Sequence, residues 1–216
     1  NLQFSEPVSD HSFSLRCMPE SNAFQEVKER KLTVEPADSL TIGKDQWGNG
    51  VVYGRKQEPH SSFSYGSSGL VEMKPYAIPA EDDGSLYLVS TELTSFNPVM
   101  ALLIDHALCT SASNHQPSGQ ATAIGKVLAQ SDTVHHYLSY TPGSTQMETT
   151  ATQAFLLRRG VCQDYAHVML SLLRMEGIPA RYVAGMLLGE GASHAWVEAQ
   201  CGGYWYGFDP TNDLLV

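Results

Sequence analysis

The sequence predicts an α+β chain: an all-β segment first, then a core built from one dominant helix and antiparallel strands. Two observations carry this. Residues 1–95 alternate short strand-forming runs with turn-forming clusters. Beyond residue 96 the apolar spacing becomes helical, most legibly over 161–176, and three strand-like runs follow at 180–188, 194–200 and 204–208. The expected organisation is a small β sandwich or barrel-like domain over 1–95 and a catalytic core over 96–216.

In the first segment, Phe13 to Cys17 and Lys31 to Glu35 alternate apolar and polar side chains, and 51–53 and 86–89 are rich in strand formers. Turns are expected at 36–38, 45–50, 64–69 and 82–84, with Asn49-Gly50 as a hairpin turn. In the second segment, 98–107 reads as a helix with Asn97 as cap and Pro98 at its first position. A loop over 111–119 separates it from a second helix over 120–138. Tyr140-Thr141-Pro142-Gly143 turns the chain. In the helix over 161–176, Tyr165, Val168, Met169, Leu172 and Leu173 form one broad apolar face, and Gly177-Ile178-Pro179 ends it. Gly202-Gly203 joins the last two strands as a hairpin.

Composition narrows the functional classes. Thirteen Lys and Arg against 23 Asp and Glu give a formal charge of −10. Such a surface repels phosphate backbones and anionic lipid, so nucleic acid and membranes are not expected partners. No run approaches the ~18 consecutive apolar residues of a spanning helix, and residues 1–10 do not read as a secretory leader. Cys17, Cys109, Cys162 and Cys201 are widely spaced, without a Cys-x-x-Cys pair. Free thiols in a reducing, cytoplasmic setting are expected, rather than a zinc knuckle or a disulfide scaffold. His135-His136 suits the negative end of its helix and is not read as a metal site. No cofactor or metal site is read.

The chemistry concentrates in three short segments. Cys162 lies in Gly160-Val161-Cys162-Gln163-Asp164, at the start of the legible helix; His194 lies in His194-Ala195-Trp196-Val197-Glu198; Asp209 lies in Asp209-Pro210-Thr211-Asn212. Unpaired N–H groups and partial positive charge at a helix N-terminus favour a thiolate and can hold an oxyanion. Gly160 permits close approach ahead of the helix. An imidazole on one strand and a carboxylate on the next can pair, the carboxylate fixing the ring tautomer. Trp196 shares the parity of His194 and could shield its surroundings. Around these, Asp164 suits the helix dipole, and His167 is expected on another face than the triad. Arg174, Arg181 and Glu198 are expected to be solvated. Tyr140 enters only by position as a second oxyanion donor, with packing its expected role.

With Leu173 to Val183 (Leu-Arg-Met-Glu-Gly-Ile-Pro-Ala-Arg-Tyr-Val) added, these matches run in order from about Tyr140 to Asn212. They resemble the transglutaminase-like family, within the papain-like cysteine enzymes. The first segment resembles the β-domain that precedes this core in bacterial members. The resemblance implies a transglutaminase-like core with the nucleophile helix packed on an antiparallel sheet. It implies Cys162 as nucleophile, His194 as general base and acid, and Asp209 as orienter. The resemblance does not fix the activity; the three residue types read as cysteine-dependent acyl transfer on a peptide or protein amide, with hydrolysis favoured because the small chain shows no calcium-binding acidic clusters. Alternatives are protein-glutamine cross-linking, an inactive binding module, and an arylamine-type acetyltransferase, which would need acetyl-coenzyme A.

Cys162 is therefore expected to be the most reactive of the four thiols. Residue-resolved alkylation by iodoacetamide near pH 6, read by mass spectrometry, tests this; faster labelling of Cys17, Cys109 or Cys201 would remove the nucleophile assignment.

Overall fold

The computed structural model describes residues 1–22, 25–74, 78–80, 82–103, 123–186 and 193–216. The chain divides into two compact units, Asn1–Tyr76 and Ala77–Val216. The division falls ahead of the boundary expected at 95/96, because residues 78–95 are tied into the second unit by strand pairing and by Arg174.

The first unit is all β: β1 (Leu2–Val8), β2 (His11–Leu15), β3 (Gln25–Glu35), β4 (Ser39–Lys44), β5 (Gly50–Lys56) and β6 (His60–Met73). They form two three-stranded antiparallel sheets, ordered β1-β6-β3 and β2-β5-β4. Phe13 of one sheet meets Phe63 of the other with ring centroids 4.7 Å apart, and Val51, Val52 and Phe63 are buried. Two expected turns resolve differently. The stretch 64–69 lies inside β6, paired from Glu35↔Ser64 to Arg30↔Gly69. Its Ser and Gly residues suit an exposed strand as well as a turn, and the long β3 partner decides. The β4–β5 hairpin is closed by Asp45 rather than by Asn49-Gly50. The Asp45 carboxylate accepts from the N–H groups of Trp47 and Asn49 at 2.9 and 3.0 Å, and Lys44 already pairs with Gly50.

The second unit places β7 (Ile78–Pro79), then α1 (Ala123–Tyr137), β8 (Ser139–Tyr140), α2 (Ala151–Leu157), β9 (Arg159–Gly160), α3 (Cys162–Met175), β10 (Ala180–Gly185), β11 (His194–Cys201), β12 (Tyr204–Asp209) and β13 (Leu214–Leu215). The main sheet runs β10-β11-β12-β13, with β7 also paired to β12. Gly202 and Gly203, at φ 60° and 84°, make the turn between β11 and β12, a left-handed conformation that glycine adopts without strain. Short β8 and β9 pair in parallel, Tyr140 opposite Gly160.

Helix α3 is the axis of this unit. Every residue from Asp164 to Leu173 is buried, so the single apolar face expected from spacing is an underestimate. The helix contacts α1, α2, β10 and β11, and its ring of Tyr165, Ala166, Val168, Met169, Leu170, Leu172 and Leu173 fills a cluster with Ala195, Val197, Ala199 and Phe208. A helix enclosed on all sides is apolar on all sides. The expected strand at 86–89 is instead a 3-10 turn, Ser85–Leu88. Arg174 accounts for it: Nε donates to Tyr87 O at 2.9 Å, Nη1 to Thr94 Oγ1 at 2.8 Å and Nη2 to Ala180 O at 2.9 Å. These bonds tie two carbonyls and a hydroxyl from three separate segments to one guanidinium, so Arg174 is a clamp and not a solvated side chain. Asn97 caps as expected, its Oδ1 accepting from Val99 N–H, but the element begins as a 3-10 turn, Pro98–Met100. The expected loop at 111–119 and the start of the second helix lie outside the described residues.

Candidate active site

Cys162 is the first residue of α3, partly buried against the core. The local chain explains its position. Asp164 Oδ2 reaches back to accept the Val161 N–H at 2.7 Å and also accepts the Thr145 hydroxyl at 2.6 Å. A Cβ on Gly160 would lie 2.5 Å from the Asp164 side chain, so only glycine admits this return. The first intrahelical bond is donated by Asp164 N–H to Val161 O at 2.8 Å, which leaves the Cys162 N–H ahead of the helical ladder. Asp164 is 1% exposed, so it is a buried cap, more than the surface dipole partner expected from sequence.

His194 opens β11 opposite Gly185, and Asp209 closes β12. The register Val197↔Phe208 puts Trp196 beside Asp209, and Ala195, Val197 and Phe208 belong to the core around α3. His194 Nε2 lies 2.8 Å from Asp209 Oδ2. A carboxylate only accepts, so Nε2 carries the proton and donates it to the bond. Asp209 is fully buried and its lone pairs are occupied: Oδ1 accepts from the N–H groups of Thr211 and Asn212 at 3.0 and 3.3 Å, and Oδ2 also accepts from Asn212 Nδ2 at 2.7 Å. Trp196 stacks near His194, centroids 6.3 Å apart at 26°. Its indole lies so close over Gly185 that a Cβ there would meet it at 2.3 Å.

The sequence reading paired His194 with Asp209, and the structure brings them together; Cys162 stands at the start of the helix that packs on β11. Asn212, whose Nδ2 donates to Asp209 Oδ2, was not singled out. Its signal was present in the Asp-Pro-Thr-Asn run, where an Asx-type turn predicts donors folding back on the aspartate. Glu198 corrects the solvated expectation: it binds Arg181 through Nε and Nη2 at 2.7 and 2.6 Å, while the guanidinium lies 4.4 Å from the Trp205 ring centroid. His167 lies apart from the His194–Asp209 pair, on α3 beneath β10. It is buried, its ring bonds the Thr149 backbone, and its Nδ1 has no protein partner. Cys17, Cys162 and Cys201 are free thiols; Cys109 lies outside the described residues. Among the described residues no cluster of three or more His, Cys, Asp or Glu could hold a metal, and no helix is long and apolar enough to cross a membrane.

Comparison with known proteins agrees along the chain. Residues 111–210 match the transglutaminase-like superfamily core, and residues 1–72 match the bacterial transglutaminase-like N-terminal region. An uncharacterised protein of Mycobacterium leprae is 31% identical, over 99% of this chain and 81% of its own length. One of Mycobacterium tuberculosis H37Rv is 30% identical, over 92% of this chain and 72% of its own. A solved structure described as "a Putative Cysteine Protease from Cytophaga hutchinsonii" superposes with a TM-score of 0.70 at 24% identity, covering 99% of this chain and 76% of that one. The chain belongs to the transglutaminase-like superfamily and carries its bacterial N-terminal region.

Burial holds the His167 pKa below its usual value, against the opposing pull of Asp164 and the Thr149 bond. The unfolded chain then binds the proton first as pH falls. Stability from neutral His167 is complete above about pH 6.5 and is lost below it, as pH falls through the folded pKa. The midpoint of thermal unfolding should therefore fall between pH 7 and 5, less steeply in His167→Gln; parallel slopes would exclude His167 as the group responsible.

Proposed function

We propose that this chain catalyses cysteine-dependent acyl transfer at an amide bond of a peptide or protein, with hydrolysis as the favoured outcome. The observation that carries the reading is the bond from His194 Nε2 to the fully buried Asp209 carboxylate. It commits one ring nitrogen to the carboxylate and leaves Nδ1 to exchange a proton with the reaction.

In this reading the Cys162 thiolate attacks the amide carbonyl carbon, aided by the unpaired N–H at the start of α3. His194 Nδ1 delivers a proton to the leaving amine, and a thioester on Cys162 remains. His194 then takes a proton from water, which hydrolyses the thioester and returns the thiol. An amine in place of water would give cross-linking, the alternative that family membership keeps open. The description of the Cytophaga protein supports hydrolysis. The free thiols support a cytoplasmic setting, and the net charge of −10 supports a substrate that is neither nucleic acid nor membrane.

The test is turnover of a fluorogenic peptide-amide library, with product masses to separate hydrolysis from amine transfer. Cys162→Ala and His194→Ala should reduce turnover to background. Asp209→Asn should lower it roughly 10²-fold or more, because the carboxamide no longer selects the productive tautomer. Combined with His194→Ala, it should add little, since no imidazole remains to orient. Additive losses, or full turnover in Cys162→Ala, would reject the proposal; no turnover in the wild type against any amide would favour a binding module.

A further inference from the structure

Three tyrosines stand near the start of α3, and their hydroxyls are differently committed. The Tyr165 hydroxyl is buried and donates to Leu138 O at 2.8 Å. Tyr140, on β8, is largely exposed, and its ring lies 6.5 Å from that of Tyr165. Tyr182 occupies the remaining side. It sits on β10 directly opposite Val197, a residue of the core against α3, so its side chain leaves the sheet toward that helix. Its ring centroid lies 5.5 Å from that of His167 on α3. The residue is 40% exposed, so the ring reaches from the helix surface to solvent, where a substrate carbonyl would approach Cys162. Among the described residues its hydroxyl donates to no protein group.

We propose that Tyr182 is a further catalytic residue, its phenol donating a hydrogen bond to the oxyanion that forms when Cys162 attacks an amide carbonyl. The inference rests on Cys162 being the nucleophile. Its chemistry requires a phenol that keeps its proton, and the surroundings provide one. Burial, then the charges on Cys162 and Asp164, push the Tyr182 pKa up to about 12. In the step itself a C–S bond forms and the carbonyl π pair moves onto oxygen. That oxygen then accepts from the Cys162 N–H and from the Tyr182 O–H, with no proton transferred. When the intermediate collapses, the pair returns to carbon, the C–N bond breaks, and the amine leaves with the proton from His194. A phenol with no other bond among the described residues requires no rearrangement to serve this transient charge, which makes Tyr182 a better donor than Tyr165.

Two reactions of Cys162 separate this role from others in the full chain. Acetylation by p-nitrophenyl acetate passes through an oxyanion; alkylation by iodoacetamide does not. Tyr182→Phe should slow acetylation of Cys162 roughly 10²-fold, read as nitrophenolate release and as the mass of the acetyl-enzyme, and leave alkylation of Cys162 unchanged. Acetylation at the wild-type rate would overturn the proposal. So would equal slowing of both reactions, which would assign Tyr182 to the thiol or to the fold. If Cys162→Ala were acetylated and released nitrophenolate like the wild type, the nucleophile assignment itself would fall, and the proposal with it.

Discussion

A carboxylate with no access to water organises the candidate site. Burying an ionised group is costly unless hydrogen bonds compensate it, and Asp209 is met four times: by His194, by two backbone N–H groups of the turn that follows it, and by the Asn212 side chain. Each donor is thereby fixed. The end of β12, the turn to β13 and the ring of His194 become one rigid piece, and the imidazole is held in a single tautomer. Trp196 stacks near that ring, and Gly185 leaves room for the indole.

A second buried carboxylate plays the matching part at Cys162. Asp164 ties Val161 and Thr145 to the first turn of α3, so the chain enters the helix along one path and Cys162 has one position. Both acids therefore act on chemistry through geometry: one sets a ring, the other sets a thiol. Helix α3 can carry this because it is enclosed by α1, α2, β10 and β11, and packing at that density resists displacement. Arg174 at its far end fastens the 3-10 segments to the same helix.

Legibility in the sequence followed how local each cause was. The Gly202-Gly203 hairpin, the Asn97 cap and the Gly177 stop depend on a few adjacent residues, and they read directly. The pairing of His194 with Asp209 read well because each sits in a short, distinctive run on neighbouring strands. What did not read depended on distant partners. The long β6 was hidden by Ser and Gly residues that only the pairing with β3 makes into strand. The 3-10 turn at 85–88 needs a guanidinium from residue 174. The full enclosure of α3 needs the other helices, so an apolar count along the helix alone finds one face. The position of Tyr182 against α3 was not legible because it arises only when β10 lies over that helix.

The central claim is that Asp209 holds the proton on His194 Nε2 so that Nδ1 serves the sulfur. Nitrogen-15 NMR of the histidine rings tests it most directly, with His194 assigned by substitution. The account predicts a resting ring with the proton on Nε2, shifted downfield by the bond to Asp209, and Nδ1 bare. A resting ring protonated on Nδ1 with Nε2 bare would contradict it.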